Sequence, residues 1–316
     1  MTTHLLPDGS AVTLVAVAGG RFRMGSVDFY PEEAPVHDAE VGDLLVATTP
    51  VTVAQFRAFV EATGHVTTAE RPADPDLYPG ASPEDLVAGS LVFTPPDHPV
   101  RLDDVRAWWS LVPGAQWRHP DGPGSVAHDD HPVTHVSHDD ATAYAAWAGL
   151  VLPTEAEWEH LARGGLDGAT YAWGEDTDRH LRANTWHGEF PHENRLTDGF
   201  ARTSPVGSFP PNGYGLLDVT GNVWEWTDSP WTPDHGAAAR LVRSGEAYGP
   251  PSTGRGEEGH ACCGPDTGAR QEALVIKGGS HLCAPSYCLR YRPAARQHQP
   301  SDGSTSHLGF RCLLRP

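Results

Sequence analysis

The chain has 316 residues, with 22 basic and 41 acidic side chains and a formal charge of −19. Charge of that sign repels phosphate backbones and excludes ordinary nucleic-acid binding. No run approaches the ~18 consecutive apolar residues of a membrane span.

The N-terminal MTTHLLPDGSAVTLVAVAGG lacks the basic-then-apolar pattern of a secretory signal, so a cytoplasmic protein is expected. There, the five cysteines are expected to be reduced, metal-binding or catalytic rather than stapled. Glycine and proline number 34 and 29, which predicts many turns and short elements rather than a helical bundle. Ten Trp, nine Phe and eight Tyr require a packed interior, which excludes disorder. The length admits one large domain or two. With no convincing repeat, we expect one α+β domain spanning residues 1–316, its core at about 14–312.

In chain order, VTLVAVAGGRFRMGS reads as a β-hairpin. PVTVAQFRAFVEATGH predicts a helix: Thr52 caps it, Gln55 completes a capping box, Phe56, Phe59 and Val60 share a face, and Gly64 ends it. A second helix starts at Ser137, with Ala141, Tyr144, Ala145 and Ala148 at helical spacing and Gly149 closing. A third is capped by Thr154 and Glu157, carries Trp158 and Leu161, and stops at Gly164. His128, His131, His135 and His138 precede the second helix; Pro132 keeps His131 and His135 off a common helical face, so turn and capping roles are expected. Residues 234–271 are rich in Gly, Pro and charge and predict a long surface insertion containing Cys262 and Cys263. LVIKGGS, CLRYRP and GFRCLL read as short strands, with Leu289 and Tyr291 on one face and Arg290 and Arg292 on the other.

Two stretches carry chemistry. GLLDVTGNVWEWTD crowds Asp218, Asn222, Glu225 and Asp228 into a non-helical turn, which suits calcium or simply serves the turn; NTWHGEFPHENRLTDGF is a second oxygen-rich stretch. Cys283 and Cys288 stand five apart in GGSHLCAPSYCLRYRPAAR, and only a turn brings them together. A soft ion such as copper(I) needs no more than two thiolates, whereas zinc would have to recruit His281 or His298. Arg290, Arg292 and Arg296 would favour thiolates if they face the pair. A disulfide or plain burial stays open. Cys312, in apolar GFRCLL, is expected in the core.

The segments GGRFRMGS, EEAPVH, PVTVAQFRAFVEATGHVTTAE, HPVTHVS, LPTEAEWEHLARGGL, YAWGE, NTWHGEFP, PPNGYGLLDVTGNVWEWT, KGGSHLCAPSYCLRYRPAAR and HLGFRC follow in that order. Together they resemble the formylglycine-generating enzymes, or sulfatase-modifying factors, from about Leu14 to Cys312. The resemblance implies an irregular C-type-lectin-like fold with three main helices, short antiparallel strands and bound calcium, and a monomer is expected. One calcium would take Asn184, the Thr185 carbonyl, Asp198 and the Phe200 carbonyl; the other Asp218, the carbonyls of Gly221 and Val223, and Glu225.

It further implies oxidation of the cysteine in a Cys-x-Pro-x-Arg peptide of a nascent or unfolded sulfatase to Cα-formylglycine, with dioxygen and a thiol reductant as co-substrates. Cys283 and Cys288 would hold copper(I), the substrate thiolate would join them, and Ser280, Tyr287 and Trp224 would line the site. The chain departs from the family pattern at Ala284 and Pro285, and again in QHQPSD, where Gln299 or Asp302 would form the site wall. Two alternatives are a non-catalytic calcium-bound module of the same fold and an oxidase acting on another cysteine substrate.

Overall fold

The computed structural model describes residues 1–78, 80–178, 181–238 and 272–316. The expected insertion therefore lies, from residue 239 on, outside the described residues, and with it Cys262 and Cys263.

The three helices form where their caps dictate: α1 (Val53–Thr63), α2 (His138–Ala148) and α3 (Glu155–Arg163). Thr52, Ser137 and Thr154 each accept the backbone N–H three residues on. Gln55, Asp140 and Glu157 reach back to complete the boxes, so orphan donors are satisfied from both directions. Gly64, Gly149 and Gly164 end the helices in the left-handed conformation. The predicted apolar faces are buried: Phe56, Phe59 and Tyr144 pack around Phe310 and Trp117, while Trp158 and Leu161 face a neighbouring cluster.

Twelve short strands are present among the described residues. A four-stranded sheet has the order β1-β2-β5-β12, from Thr2–Leu5, Ala11–Val17, Leu44–Ala47 and Leu313–Leu314. A second has the order β10-β9-β8-β11, from Arg296–Pro300, Ala273–Lys277, Trp224–Pro230 and Leu308–Gly309. Two ribbons complete the set, β3 (Gly20–Met24) with β4 (His37–Val41) and β6 (Gly89–Phe93) with β7 (Trp109–Pro113). All pairs are antiparallel except β8 and β11, which run parallel with Leu308 opposite Trp224.

Three strand expectations need correction. The segment around Gly19 and Gly20 is not a hairpin: β2 joins β1 and β5, whereas β3 turns away to pair with β4. Alternation marks two strands but does not say which neighbours they choose. GFRCLL is strand only at Gly309 and again at Leu313–Leu314, with Cys312 buried between. CLRYRP is not a strand; it is irregular backbone leading into β10, and Arg290, Tyr291 and Arg292 are all buried. The alternation there reflects which neighbour each side chain meets, carboxylate or ring, not two faces of a sheet.

Candidate active site

Strand β9 ends in Lys277-Gly278-Gly279-Ser280, and the chain then folds into two successive turns carrying the cysteines. Gly279 sits at φ 67°, and a Cβ there would meet the Arg290 carbonyl and the Tyr291 nitrogen at 2.8 Å. Only glycine lets the strands of this loop close so tightly. The Cys283 amide then donates to the Ser280 carbonyl at 2.9 Å, and the Ala284 carbonyl accepts from both Tyr287 at 3.1 Å and Cys288 at 2.8 Å. These turns bring Cys283 Sγ and Cys288 Sγ to 3.2 Å. That is far beyond the ~2.05 Å of a disulfide, and both cysteines are unbridged and buried. Ala284, where the family pattern departs, is itself fully buried, and its carbonyl is the hinge of the loop.

The three arginines that follow the pair are each engaged by a carboxylate. Arg290 pairs with Glu32 at 2.7 Å, Arg292 forms a fork on Glu33 with one arm at 2.9 Å, and Arg296 grips Glu155 at 2.7 and 2.9 Å. Each charge is matched by a carboxylate from elsewhere in the chain, as buried charges require. Glu32 and Glu33 belong to a 3-10 turn, Pro31–Glu33, next to Tyr30. Tyr30 reaches the loop directly: its hydroxyl accepts from the Leu289 amide at 3.0 Å, and Arg290 stacks on its ring at 3.8 Å. Burial pushes the Tyr30 hydroxyl up to about 12, with Arg290 opposing and the two cysteines adding to the rise, so it stays protonated at neutral pH. The sequence pattern missed Tyr30; it lies some 250 residues upstream of the cysteines, and nothing in its local pattern marks it.

Ser280 is fully buried; its amide faces Cys283 Sγ at 3.4 Å and its hydroxyl accepts from Leu282 at 3.2 Å. Tyr287 stacks on Phe190 at 4.5 Å and meets Trp108 edge-on at 5.7 Å. Trp108 and Phe190 are thus further members of an aromatic wall beside the cysteine loop. Trp224 opens β8, is wholly buried, and donates its amide to the His307 carbonyl at 2.8 Å. The indole N–H groups of Trp108 and Trp224 are buried with no acceptor among the described residues. Gln299 lies in β10 opposite Leu274, and the Asp302 carboxylate accepts from the Tyr78 hydroxyl.

The first oxygen-rich stretch folds around Asn184 and Asp198. The Asn184 side chain donates to the Arg202 carbonyl at 2.8 Å, while its Oδ1 is buried with no donor among the described residues. Asp198 accepts from the amides of Thr185 and Phe200, with His187 Nε2 at 3.3 Å. Burial opposes its ionisation, but these hydrogen bonds and His187 hold its carboxyl below the usual range.

In the second, Asp218 takes a left-handed conformation, accepts from the Gly207 amide at 2.6 Å, and is pushed up to about 6 by burial. Glu225 is already gripped by Arg311 through both oxygens at 2.7 Å and by Trp158 Nε1 at 2.7 Å. Gly221, at φ 77°, passes so near Asn184 that a Cβ would lie 2.4 Å from its carbonyl. Asn222 joins the parts: its amide donates to the Asn184 carbonyl at 2.9 Å, and its own carbonyl faces both the His281 amide at 3.0 Å and His281 Nδ1 at 2.8 Å. Trp186 also donates to the Cys283 carbonyl at 3.1 Å. Both oxygen-rich loops are therefore wired into the turn that carries the cysteines.

The other histidines take separate places. His135 is buried with Nδ1 2.8 Å from Ser90 Oγ, His131 bonds Thr203, and His138 opens α2. His281 is committed to Asn222, and His298 packs against Trp231 from β10. No group of three His, Cys, Asp or Glu residues that could hold a metal occurs among the described residues. Cys312 is buried in the core as expected, and burial pushes its thiol far up.

Capped helices on short, irregular strands, with a dithiol turn beside oxygen-rich loops, define a class. The Sulfatase-modifying factor enzyme 1-like domain profile matches residues 5–316, and the chain belongs to that family. Within it, the chain is 53% identical over 311 residues to the formylglycine-generating enzyme of Mycobacterium tuberculosis (strain ATCC 25618 / H37Rv), covering 96% of this chain and 98% of that one. It is 44% identical over 326 residues to the enzyme of the same name from Thermomonospora curvata, covering 98% and 96%. Among solved structures, PvdO from Pseudomonas aeruginosa matches with a TM-score of 0.62 at 24% identity, over 99% of this chain and 97% of that one, a likeness of fold. No helix among the described residues is long and apolar enough to cross a membrane.

Proposed function

We propose that the chain is a formylglycine-generating oxidase. It would convert the cysteine of a Cys-x-Pro-x-Arg motif in an unfolded or nascent sulfatase to Cα-formylglycine. The observation that carries this reading is the buried, unbridged pair Cys283 and Cys288, 3.2 Å apart, in a chain similar over its full length to enzymes of that name.

The donor set suits copper(I): two soft sulfurs in a dry pocket, with no third metal-ligating side chain grouped with them among the described residues. Bound there, copper(I) would supply dioxygen activation next to the substrate thiolate. The remaining roles fall to the protein. The Ser280 amide orients Cys283 Sγ. Tyr287, held flat on Phe190, and Trp108 exclude water from the pair. The unmatched indole N–H of Trp224 is a buried donor that a bound oxygen or substrate group would satisfy. Electrons balance if dioxygen takes four, two from the substrate cysteine and two from a pair of external thiols. The products are the aldehyde, hydrogen sulfide, water and a disulfide.

Calcium fits the first oxygen-rich loop, where buried Asn184 Oδ1 lacks a donor and Asp198 is ionised. In the second, Asp218 and the carbonyls of Gly221 and Val223 are candidates, and Glu225 would have to share its oxygens with Arg311. The net charge of −19 favours an arginine-bearing peptide, and a cytoplasmic setting would keep the cysteine pair reduced.

Copper(I) titration tests the reading. One equivalent bound by the wild type and none by Cys283→Ala or Cys288→Ala supports it. Binding unchanged in both variants refutes the dithiol site.

A further inference from the structure

Tyr30 reaches the cysteine loop from far upstream in the chain. It precedes the 3-10 turn at Pro31–Glu33, and its hydroxyl is the acceptor for the backbone amide of Leu289, the residue directly after Cys288. The peptide plane leaving Cys288 is therefore fixed by a side chain 259 residues away in sequence.

The arm is braced on both sides. Arg290 lies on the Tyr30 ring at 3.8 Å and is locked by Glu32 at 2.7 Å. Arg292 lies on the Phe29 ring at 3.7 Å, locked by Glu33, and its Nε donates to the Leu289 carbonyl at 2.7 Å. Both polar groups of the Leu289 backbone are thus held, the amide by Tyr30 and the carbonyl by Arg292. On the other side, the Cys288 amide is held by Ala284 and the Cys283 amide by Ser280.

The consequence concerns the distance between the sulfurs. At 3.2 Å they are close but not bonded, and closing to the ~2.05 Å of a disulfide requires Cys288 or Cys283 to shift. A clamp on the bond after Cys288 resists that shift. Such a clamp also prepays the ordering of two ligands, which otherwise lowers affinity.

We infer that Tyr30 is a positioning residue for the dithiol: through Leu289 it holds Cys288 open toward Cys283, keeping the pair reduced and ready for a soft cation. The role of the cation rests on the function proposed above; the effect on the thiol pair does not.

The primary test therefore needs no copper. Wild type, Tyr30→Phe and Tyr144→Phe are equilibrated in glutathione buffers, quenched by alkylation, and the Cys283–Cys288 disulfide is quantified by mass. Each disulfide formed passes two electrons and two protons to oxidised glutathione, giving two reduced glutathiones. Tyr30→Phe keeps the ring under Arg290 and removes only the acceptor for Leu289. Tyr144 is a buried tyrosine on α2 whose hydroxyl has no partner among the described residues, so it controls for loss of a buried hydroxyl.

The equilibrium constant for oxidation is expected to rise at least threefold in Tyr30→Phe and to stay unchanged in Tyr144→Phe. A constant that is unchanged or lower in Tyr30→Phe overturns the inference, as does an equal rise in both variants. Copper(I) affinity, measured by competition with a chromophoric chelator, is expected to fall at least threefold in Tyr30→Phe. If the wild type binds no copper(I) but the redox shift is present, the positioning role stands and the copper reading falls. Glu32→Gln, which frees Arg290 but leaves the Tyr30 hydroxyl in place, should give a smaller redox shift than Tyr30→Phe; an equal or larger one would move the role from Tyr30 to the arginine.

Discussion

Gly279 shows what single residues do here. Its left-handed backbone and the 2.8 Å approach of Arg290 and Tyr291 leave no room for a methyl group. Gly279→Ala is expected to cost several kcal/mol, since strain and overpacking add, and to abolish copper(I) binding by displacing the loop; urea unfolding and copper titration check both. Cys312 makes the opposite case: wholly buried and with its thiol pushed up, it should resist alkylation in the native state, and Cys312→Ala should leave copper(I) stoichiometry unchanged. The cysteine pair was legible in the sequence because two thiols five apart need a turn, and the turn is there. Tyr30 was not legible, because its partnership spans almost the whole chain. Nor was the neutralisation of Arg290, Arg292 and Arg296, since a local pattern cannot say which distant carboxylate an arginine will meet.

Elements follow the same division. Each helix was readable from cap to cap because capping boxes and left-handed glycines are local devices. Thr154→Ala removes the bonds to Glu157 at 3.3 and 2.9 Å and should cost about 1 kcal/mol of stability in denaturant melts. Strand pairing was less readable: β2 and β3 looked like partners but separate into different sheets. The Leu289–Arg292 stretch looked like a strand because its buried and charged side chains alternate, although its backbone serves the arm around Tyr30 instead. The oxygen-rich loops act as elements too. Asn222 connects Asn184 to His281, two residues before Cys283. Chelation of calcium should therefore lower Tm and also weaken copper(I) binding; loss of Tm with copper(I) affinity untouched would break that connection.

Across the molecule, buried charge ties the segments together. Lys277 on β9 meets Glu159 at 3.0 Å and Glu155 at 3.7 Å, Arg163 meets Glu159 at 2.7 Å, and Arg296 grips Glu155. Burial alone would raise the Glu155 carboxyl, but Arg296, with His235 and Lys277, holds it well below the usual range. Its folded-state pKa is thus below the unfolded value of about 4.3. The stability it contributes is present above that pH and lost as pH falls further. Glu155→Gln leaves Arg296 and Lys277 without that counter-charge and should destabilise by about 3–5 kcal/mol near neutral pH, a difference that shrinks on acidification. A pH series of denaturant midpoints for the two proteins reads it directly.

The central proposal is that dioxygen oxidises a sulfatase cysteine at the Cys283–Cys288 pair. Copper-loaded protein incubated with dioxygen, a thiol and a peptide containing Cys-Thr-Pro-Ser-Arg measures it most directly, by mass and by capture of the product with a hydrazide. Exchange of the peptide's sulfur for an aldehyde oxygen, absent with Cys283→Ala and Cys288→Ala, is the predicted result. Unmodified peptide with copper loading verified, or equal conversion by the cysteine variants, would contradict it.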